Sequence, residues 1–355
     1  MLATLAVTAL LTQRLDRPPR ELIARPGYWI QKPVTLNQLK AKHKIVLLDF
    51  WDYTCVNCIR TFSYLKEWYR RYHSMGLEIV GVHTHEFLFA EDPEKVRAAV
   101  KRYGLPYPIL NDPKRENWWL YGVFGWPTHI ILEPDMYHVR VFRVGEGHYD
   151  IIEKRIQQQL LKVNPNLKFP PIMAPVRDAD RPGAVCYPKT PEIFTYIKGF
   201  PKNQLAFLPS EIGKTVTYAY PAQMDPGKVY LSGVWSPHKH ELEAAGRGCG
   251  LKVKYEAKEV NVVMGPLSPV TVEVLLDGKP VAPSAPGEDV RLVGGRSLLK
   301  ADEWRMYSVI KGGKWGRHTL ELRPQGPGMQ TVSISFSSDC DPVETKKART
   351  SLHGA

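Results

Sequence analysis

The sequence predicts an α/β domain followed by an all-β, jelly-roll-like sandwich domain, and three observations carry that prediction. Up to about residue 162, apolar strand-like runs alternate with segments of helical periodicity. From about 200 to 340, short alternating strands follow one another without helical periodicity. Between them the chain places seven prolines from Asn164 to Pro191, the composition of a linker that is stiff where prolines cluster. A chain of 355 residues is long for one domain and natural for two. The expected division is an apolar N-terminal segment and arm over 1–26, an α/β domain over 27–163, a Pro-rich linker over 164–200, a β-sandwich over 201–342 and a flexible polar tail over 343–355.

The net charge of +12 is spread along the chain without a Lys/Arg block or a nucleic-acid motif, which favours acidic partners or a membrane surface over sequence-specific DNA binding. Five cysteines are too few for a disulfide-built scaffold, and the odd number leaves at least one thiol unpaired. The apolar run Met1–Leu11 is too short to span a bilayer and lacks the basic start of a full signal peptide. It is read as an export or anchoring remnant. That reading places the protein outside the cytoplasm, in a periplasm or cell envelope, with anchoring through the N-terminus as an option.

In chain order, Ile45–Trp51 is an apolar run with one carboxylate, Asp49, and reads as a buried strand. It feeds Cys55-Val56-Asn57-Cys58 at the start of a helix that sets Ile59, Phe62, Leu65, Tyr69 and Tyr72 at helical spacing and stops by Gly76. Leu77–Val82 is a second buried strand, and Asp92-Pro93 with Gly104 brackets a helix as cap, first-turn proline and terminal glycine. Tyr107–Leu110 is a short strand, Asn117–Tyr121 an aromatic helix, and Phe124–Leu132 a strand that opens with Trp126-Pro127. Strand His138–Val144 and a helix from Tyr149 to about Leu161 complete the order βαβαβαββα, a central sheet with helices on both faces.

Two cysteines at i and i+3 share one face of a helical turn, close enough for a disulfide, and a helix N-terminus stabilises a thiolate. Cys55 is then the exposed, low-pKa nucleophile, and Cys58, one turn deeper, resolves the mixed disulfide. Asp49, desolvated in its apolar run, suits the proton of Cys58; the alternative is an outward-facing carboxylate. The other reading of the cysteine pair is a metal site. No second CxxC exists, but His83 or His85 with the two thiolates would suit copper or zinc. A cis bond at Pro127 would leave neighbouring backbone groups free to pair with a bound peptide.

The frame Asp49-Phe50-Trp51, Cys55-x-x-Cys58 and Trp126-Pro127 resembles the thioredoxin superfamily. The finer match, through Phe50–Cys58, Gly81–Thr84, Tyr121–His129 and Gly145–Tyr149, is to the thioredoxin-like region of DipZ-type proteins, relatives of the TlpA group of thiol-disulfide oxidoreductases. It covers most of residues 27 to 162. The resemblance implies that Cys55 and Cys58 are the redox pair, with no cofactor beyond their disulfide. It implies that Asp49 is the buried acid/base group and Pro127 a cis-proline facing Cys55. Trp51, Trp126 and Thr128 would shape the substrate groove. The chain departs from the group at His85, where members carry proline, and at Thr128, where they carry alanine, so substrate preference or metal affinity is expected to differ there. The Pro-x-x-x-Thr-x-x-Cys pattern of peroxiredoxins is missing, because Thr54 directly precedes Cys55.

In the second domain, strands are expected over Thr215–Tyr220, Lys228–Trp235, Leu251–Ala257, Val260–Met264, Val270–Leu276, Arg305–Ile310, Thr319–Leu322 and Thr331–Phe336, with turns at Asp277-Gly278 and Gly294-Gly295. In DipZ-type proteins the matching region resembles a carbohydrate-binding module, so Trp235, Trp304 and Trp315 are candidates for stacking on sugars, against ordinary core packing. Cys186, Cys249 and Cys340 are scattered and their pairing is open.

The expected function is thiol-disulfide exchange with partner proteins in the reducing direction outside the cytoplasm. DipZ-type proteins can carry a membrane electron-conducting domain upstream; none lies within these residues, so a membrane or soluble donor protein is expected to supply electrons. The rivals are a copper-handling protein and a glycan-binding protein. No nucleic-acid partner is expected.

Overall fold

All seven residues of Ile45–Trp51 are buried, as a strand flanked by apolar runs requires, and this strand, β1, is the centre of the first sheet. The computed structural model describes residues 20–135, 139–196, 205 and 209–341. The chain divides into two compact units between Pro182 and Gly183. Among the described residues no helix is long and apolar enough to cross a membrane. The apolar N-terminal run and the tail after Asp341 lie outside the described residues.

In the first unit, a short helix α1 (Leu36–Ala41) precedes β1. Thr35 and Gln38 cap it reciprocally, and the Glu21 carboxylate accepts from the Leu36 and Asn37 N–H groups. Then follow α2 (Val56–Tyr72), β2 (Leu77–His83), α3 (Pro93–Tyr103), β3 (Ile109–Asn111), α4 (Glu116–Leu120), β4 (Thr128–Leu132), β5 (Val139–Val144) and α5 (Tyr149–Val163). The expected order βαβαβαββα is the observed one. The sheet runs β3-β2-β1-β4-β5, with β3, β2 and β1 parallel and β4 and β5 antiparallel. As expected, Asp92 caps α3, Pro93 opens it and Gly104 ends it at φ +59°, a conformation that favours glycine.

Alternation along β1 decides which helices cover which face. Ile45, Leu47 and Trp51 join Phe62, Leu65 and Trp68 of α2 and Ile152, Ile156 and Leu160 of α5 in one apolar core. Val46, Leu48 and Phe50 face the other way, against Leu36, Leu39 and Trp118. By the same alternation Asp49 belongs to the α2 face, so the outward-facing alternative is excluded.

The first part of the Pro-rich run expected as a stiff linker over 164–200 is packed on the first unit. Leu167, Phe169 and Met173 pack on the first core, the Met173 N–H donates to Glu153, and Val176 N–H donates to the Tyr64 hydroxyl, which donates in turn to Asp180. Residues 164–182 are therefore a strap on the first unit. Their prolines limit the entropy lost in laying an extended chain against it. Residues 183–196 belong to the second unit, where Val185–Cys186 pairs with Cys340–Asp341 and Ile193–Phe194 pairs with Ile334 and Ser333.

The second unit is built on β-strands, and those at 216–218, 229–237, 250–257, 259–266, 270–276, 305–310, 316–324 and 329–337 place one strand in each stretch expected there, the first shorter than Thr215–Tyr220. Its main sheet is continuous. Strand 229–237 pairs with 250–257 on one side and with 242–244 on the other, joining what would otherwise be two sheets. Val253, Val272 and Leu320 from one half and Val262, Tyr307 and Ile334 from the other share one core, so the sheet folds over itself as a sandwich. The turns at Asp277-Gly278 and Gly294-Gly295 join hairpins, the second between 290–293 and 296–301.

Cys186 and Cys340 form a disulfide that ties the start of this unit to its last strand across 154 residues. The double variant Cys186→Ser/Cys340→Ser is expected to destabilise the second unit by about 2–4 kcal/mol, the range for closing a long loop. Calorimetry on the full chain checks this: its β-unit transition should fall, and an unchanged transition would mean that strand pairing alone holds the end of the sheet.

Candidate active site

Between β1 and α2 the chain must turn sharply inside the protein, and Asp52 makes that turn possible. Its carboxylate is fully buried yet accepts three bonds: from the Thr54 N–H at 2.6 Å, the Thr54 hydroxyl at 2.5 Å and the Glu86 N–H at 2.7 Å. The Cys55 N–H donates to the Asp52 carbonyl at 3.3 Å. The loop so fixed delivers Cys55 to the N-cap of α2, where its Sγ accepts from the Cys58 N–H at 3.4 Å. Cys55 is half-buried and Cys58 fully buried, and both are free thiols.

The electrostatics differ from the low-pKa expectation for Cys55. Its hydrogen bond with Cys58 lowers its pKa, but burial and the carboxylates of Glu86 and Asp52 outweigh that, and the thiol is pushed up from its ordinary value. Burial dominates at Cys58, whose thiol is pushed well up, with the hydrogen bond and charge of Cys55 and the charge of Asp49 adding to it.

Behind Cys58, Asp49 is buried with its carboxylate 3.3 Å from Nε2 of His129, which stands directly opposite in β4 and is also buried. On the other side of Asp49 is Gly81 of β2. A Cβ there would lie 3.0 Å from Nε1 of Trp51 and 2.5 Å from Cδ1 of Ile109, so the glycine leaves room for the Trp51 indole. The buried Tyr107 hydroxyl has no hydrogen-bond partner among the described residues, and burial first, then the charges of Asp49 and Cys58, push its pKa well up.

The Trp126–Pro127 bond is cis, and the Pro127 carbonyl accepts from the Gly145 N–H at 2.7 Å. Of the three residues expected to shape a groove, only Trp126 retains exposure; its indole N–H donates to the Thr84 carbonyl at 2.9 Å. Trp51 is fully buried, edge-on to Phe62 and His83, and Thr128 is fully buried with its hydroxyl donating to the Gly125 carbonyl. Both therefore act as support beneath the site and not as groove walls. The alternation of β1 and the bond that closes the turn before β4 turn them inward.

The metal-binding alternative is not assembled. Among the described residues no three His, Cys, Asp or Glu side chains converge to hold a metal ion. His83 lies in the core, bonded through Nδ1 to Asn111 at 3.1 Å and stacked on Tyr53, and burial lowers its pKa. The His85 carbonyl accepts from Arg115, whose guanidinium lies over the Trp126 ring.

In the second unit Trp235 is fully buried, which removes it as a sugar-stacking surface. Trp304 packs against Gly265, where a Cβ would lie 2.2 Å from its ring. Trp315 stacks on Tyr187 and donates to the Pro188 carbonyl. A cavity of about 550 Å³ in this unit is lined by Lys189, Lys254, Asp277, Arg317 and His318 among others, and by none of these tryptophans. Cys249 is a buried free thiol whose Sγ lies 2.9 Å from the Val234 carbonyl.

His129, Glu86 and Asp52 were not singled out from the sequence. His129 had a legible signal: like Asp49, it interrupts an apolar strand, Thr128-His129-Ile130-Ile131-Leu132. Glu86 had none, because only the fold brings it to Cys55.

Residues 26–140 match the AhpC/TSA family, and residues 195–336 match the thioredoxin-like C-terminal domain family. The chain is 28% identical to protein DipZ of Mycobacterium bovis over 309 residues, 86% of this chain and 40% of DipZ. It is 33% identical over 110 residues to the thiol-disulfide oxidoreductase ResA of Bacillus subtilis, 31% of this chain and 58% of ResA. It is also 39% identical over 106 residues to NHL repeat-containing protein 2 of Bos taurus, 30% of this chain and 14% of that protein. The chain thus spans about two fifths of the length of the DipZ proteins it matches. With an α/β unit bearing Cys55-x-x-Cys58 followed by an all-β unit, and with both units matched in that order, the chain is similar to the DipZ-type thioredoxin-like proteins over both of its units.

Proposed function

We propose that the protein is a thiol-disulfide oxidoreductase that reduces disulfides of partner proteins through Cys55 and Cys58, outside the cytoplasm. One observation carries the reading: a half-exposed thiol caps α2 while its partner thiol is fully buried one turn inside and hydrogen-bonded to it. Only the first is open to another protein, which separates attack from resolution.

In the reaction, the Cys55 thiolate attacks one sulfur of a partner disulfide. The Cys55–partner mixed disulfide forms, and the displaced partner thiolate takes a proton. Cys58 gives its proton to the buried Asp49 and attacks the Cys55 sulfur. The Cys55–Cys58 disulfide forms, the second partner thiol leaves, and two electrons have passed to the partner. By the resemblance, Pro127 and Trp126 would lie beside the exposed thiol and receive the partner's backbone. No cofactor beyond the cysteine pair is needed, and a donor protein must return the dithiol.

The electrostatics support the reducing direction. Strong oxidants owe their potential to a stabilised thiolate in the reduced form. Here burial and the carboxylates of Glu86 and Asp52 oppose a thiolate at Cys55, and burial opposes one at Cys58 still more. The disulfide between Cys186, which is exposed, and Cys340 supports an oxidising compartment.

The first test is the equilibrium reduction potential of the Cys55/Cys58 pair by glutathione or dithiothreitol titration, with Cys58→Ser as control. A value near thioredoxin's, about −270 mV, is expected. A value near −120 mV, the scale of a strong oxidant, would make the protein a disulfide donor, and no reversible couple would end the redox reading. Cys58→Ser should also trap a Cys55 mixed disulfide with a model disulfide substrate, seen as a mass adduct, whereas Cys55→Ser should trap none.

Stability should also depend on pH in a defined sense. An unfolded cysteine ionises near pH 8.5, whereas folded Cys58 keeps its proton well above that. Above about pH 8.5 the unfolded dithiol chain therefore holds fewer protons than the folded one, and stability falls as pH rises toward the folded value. Urea midpoints measured between pH 7 and 9.5 should decline more steeply for the dithiol than for the disulfide form. Parallel declines would contradict the burial of Cys58.

A further inference from the structure

We propose that His129 is a positioning residue of the proton transfer at Cys58: its imidazolium keeps Asp49 in the charged form that can take the Cys58 proton. This rests on the thiol-disulfide reading above.

Asp49 and His129 are opposite one another in the antiparallel pair of β1 and β4, which sets their side chains side by side on the α2 face of the sheet. Both are buried, and Nε2 lies 3.3 Å from the carboxylate. Among the described residues, neither Asp49 oxygen and neither ring nitrogen has an aligned hydrogen-bond partner. The plain alternative is a structural ion pair. Buried pairs, however, are often replaceable by apolar residues of similar volume without loss of stability, so packing alone does not account for a couple placed behind a reactive thiol.

The groups around the couple define what it can do. Cys58 of α2 feels the Asp49 charge, and Tyr107, ahead of β3, feels both Asp49 and Cys58. Arg143 of β5 stands opposite His129 on its other side, and Gly81 of β2 offers no side chain opposite Asp49. From α5, Tyr149 and Glu153 are buried too, but their polar atoms are engaged by Thr61 and by Tyr72, Arg71 and Met173. His129 is thus the basic side chain in contact with Asp49, at 3.3 Å.

Charge bookkeeping follows. Before resolution the imidazolium and the carboxylate cancel beside the neutral Cys58 thiol. When the Cys58 proton moves to Asp49, the imidazolium faces the Cys58 thiolate and the buried region is neutral again. The thiolate then attacks the Cys55 sulfur, its charge leaves with the departing thiolate, and Asp49 holds the proton. A carboxylate buried in apolar surroundings stays charged only with a cation or donors beside it. Without His129, Asp49 takes a proton from solvent and is no longer a base, and Cys58 must ionise unaided at higher pH.

The test uses the full reduced chain and dithio-bis-nitrobenzoate. Attack by Cys55 releases one thionitrobenzoate, and attack by Cys58 on the mixed disulfide releases the second, whose rate is followed by absorbance against pH. His129→Leu is expected to slow the second release about tenfold at pH 7 and to move its profile up by about one pH unit. Alkylation of Cys55 in a Cys58→Ser background should be unaffected by His129→Leu. Asp49→Asn should reproduce the shift, and the double variant should be no slower than either single one. A wild-type profile in folded His129→Leu, equal slowing of Cys55 alkylation, or multiplying effects in the double variant would each overturn the proposal. Should His129→Leu fail to fold, a wild-type profile in Asp49→Asn overturns it equally. A wild-type protein that releases no second thionitrobenzoate would defeat the thiol-disulfide reading itself.

Discussion

A strand buried on both faces has no place for a lone charge, and β1 carries one at its centre. Apolar helices cover both sides of Ile45–Trp51, so Asp49 can find a partner only along its own sheet. β2 offers glycine at the opposite position and β4 offers histidine. The same constraint operates one turn further on, where the chain leaves the sheet inside the protein and the Asp52 carboxylate takes the donors of Thr54 and Glu86. The position of Cys55 follows from that second carboxylate, and the surroundings of Cys58 follow from the first. Losing the Asp52 carboxylate would leave the donors of Thr54 and Glu86 unsatisfied, at a cost of about 1–3 kcal/mol each where they are buried.

Much of this was legible because the apolar pattern of the first unit is unambiguous. The run around Asp49 reads as a buried strand, and the observed burial and alternation decide between the two orientations of Asp49 that the sequence leaves open. The caps at Asp92 and Gly104 and the aromatic helix obey local rules and appear where those rules put them. What failed was local reasoning applied to a non-local quantity. A helix N-terminus favours a thiolate at Cys55, yet burial, and after it the carboxylate of Glu86, more than a helix away in sequence, reverse the balance. Trp51 and Thr128 were assigned to a groove by resemblance, whereas strand alternation alone would have turned Trp51 inward with Ile45 and Leu47.

The second unit was legible strand by strand and less so in its closure. Alternating residues mark a half-buried strand, but nothing local tells two separate sheets from one sheet folded over itself. The answer lies in strand 229–237, which pairs along both edges. Short strands with little burial were also missed, as at 290–293, where only Val290 is buried. The Pro-rich stretch reads as a stiff linker, but proline content alone does not tell whether a stiff segment docks. Leu167, Phe169 and Met173 supply the apolar contacts that a stiff extended segment needs in order to dock.

The chemistry then turns on where negative charge is tolerated. Cys55 sits among the carboxylates of Glu86 and Asp52, and Cys58 sits in a core with Asp49. Each feature raises the free energy of a thiolate, and that is the premise of the reducing direction proposed above. It also makes the protonated dithiol slow to react unless a base is at hand. On the proposed reading the site needs a buried acceptor for the proton of its second cysteine, and an acceptor that is itself an anion needs a cation beside it. The proposal assigns both needs to the row from Gly81 through Asp49 to His129, which strand register alone brings together within one sheet.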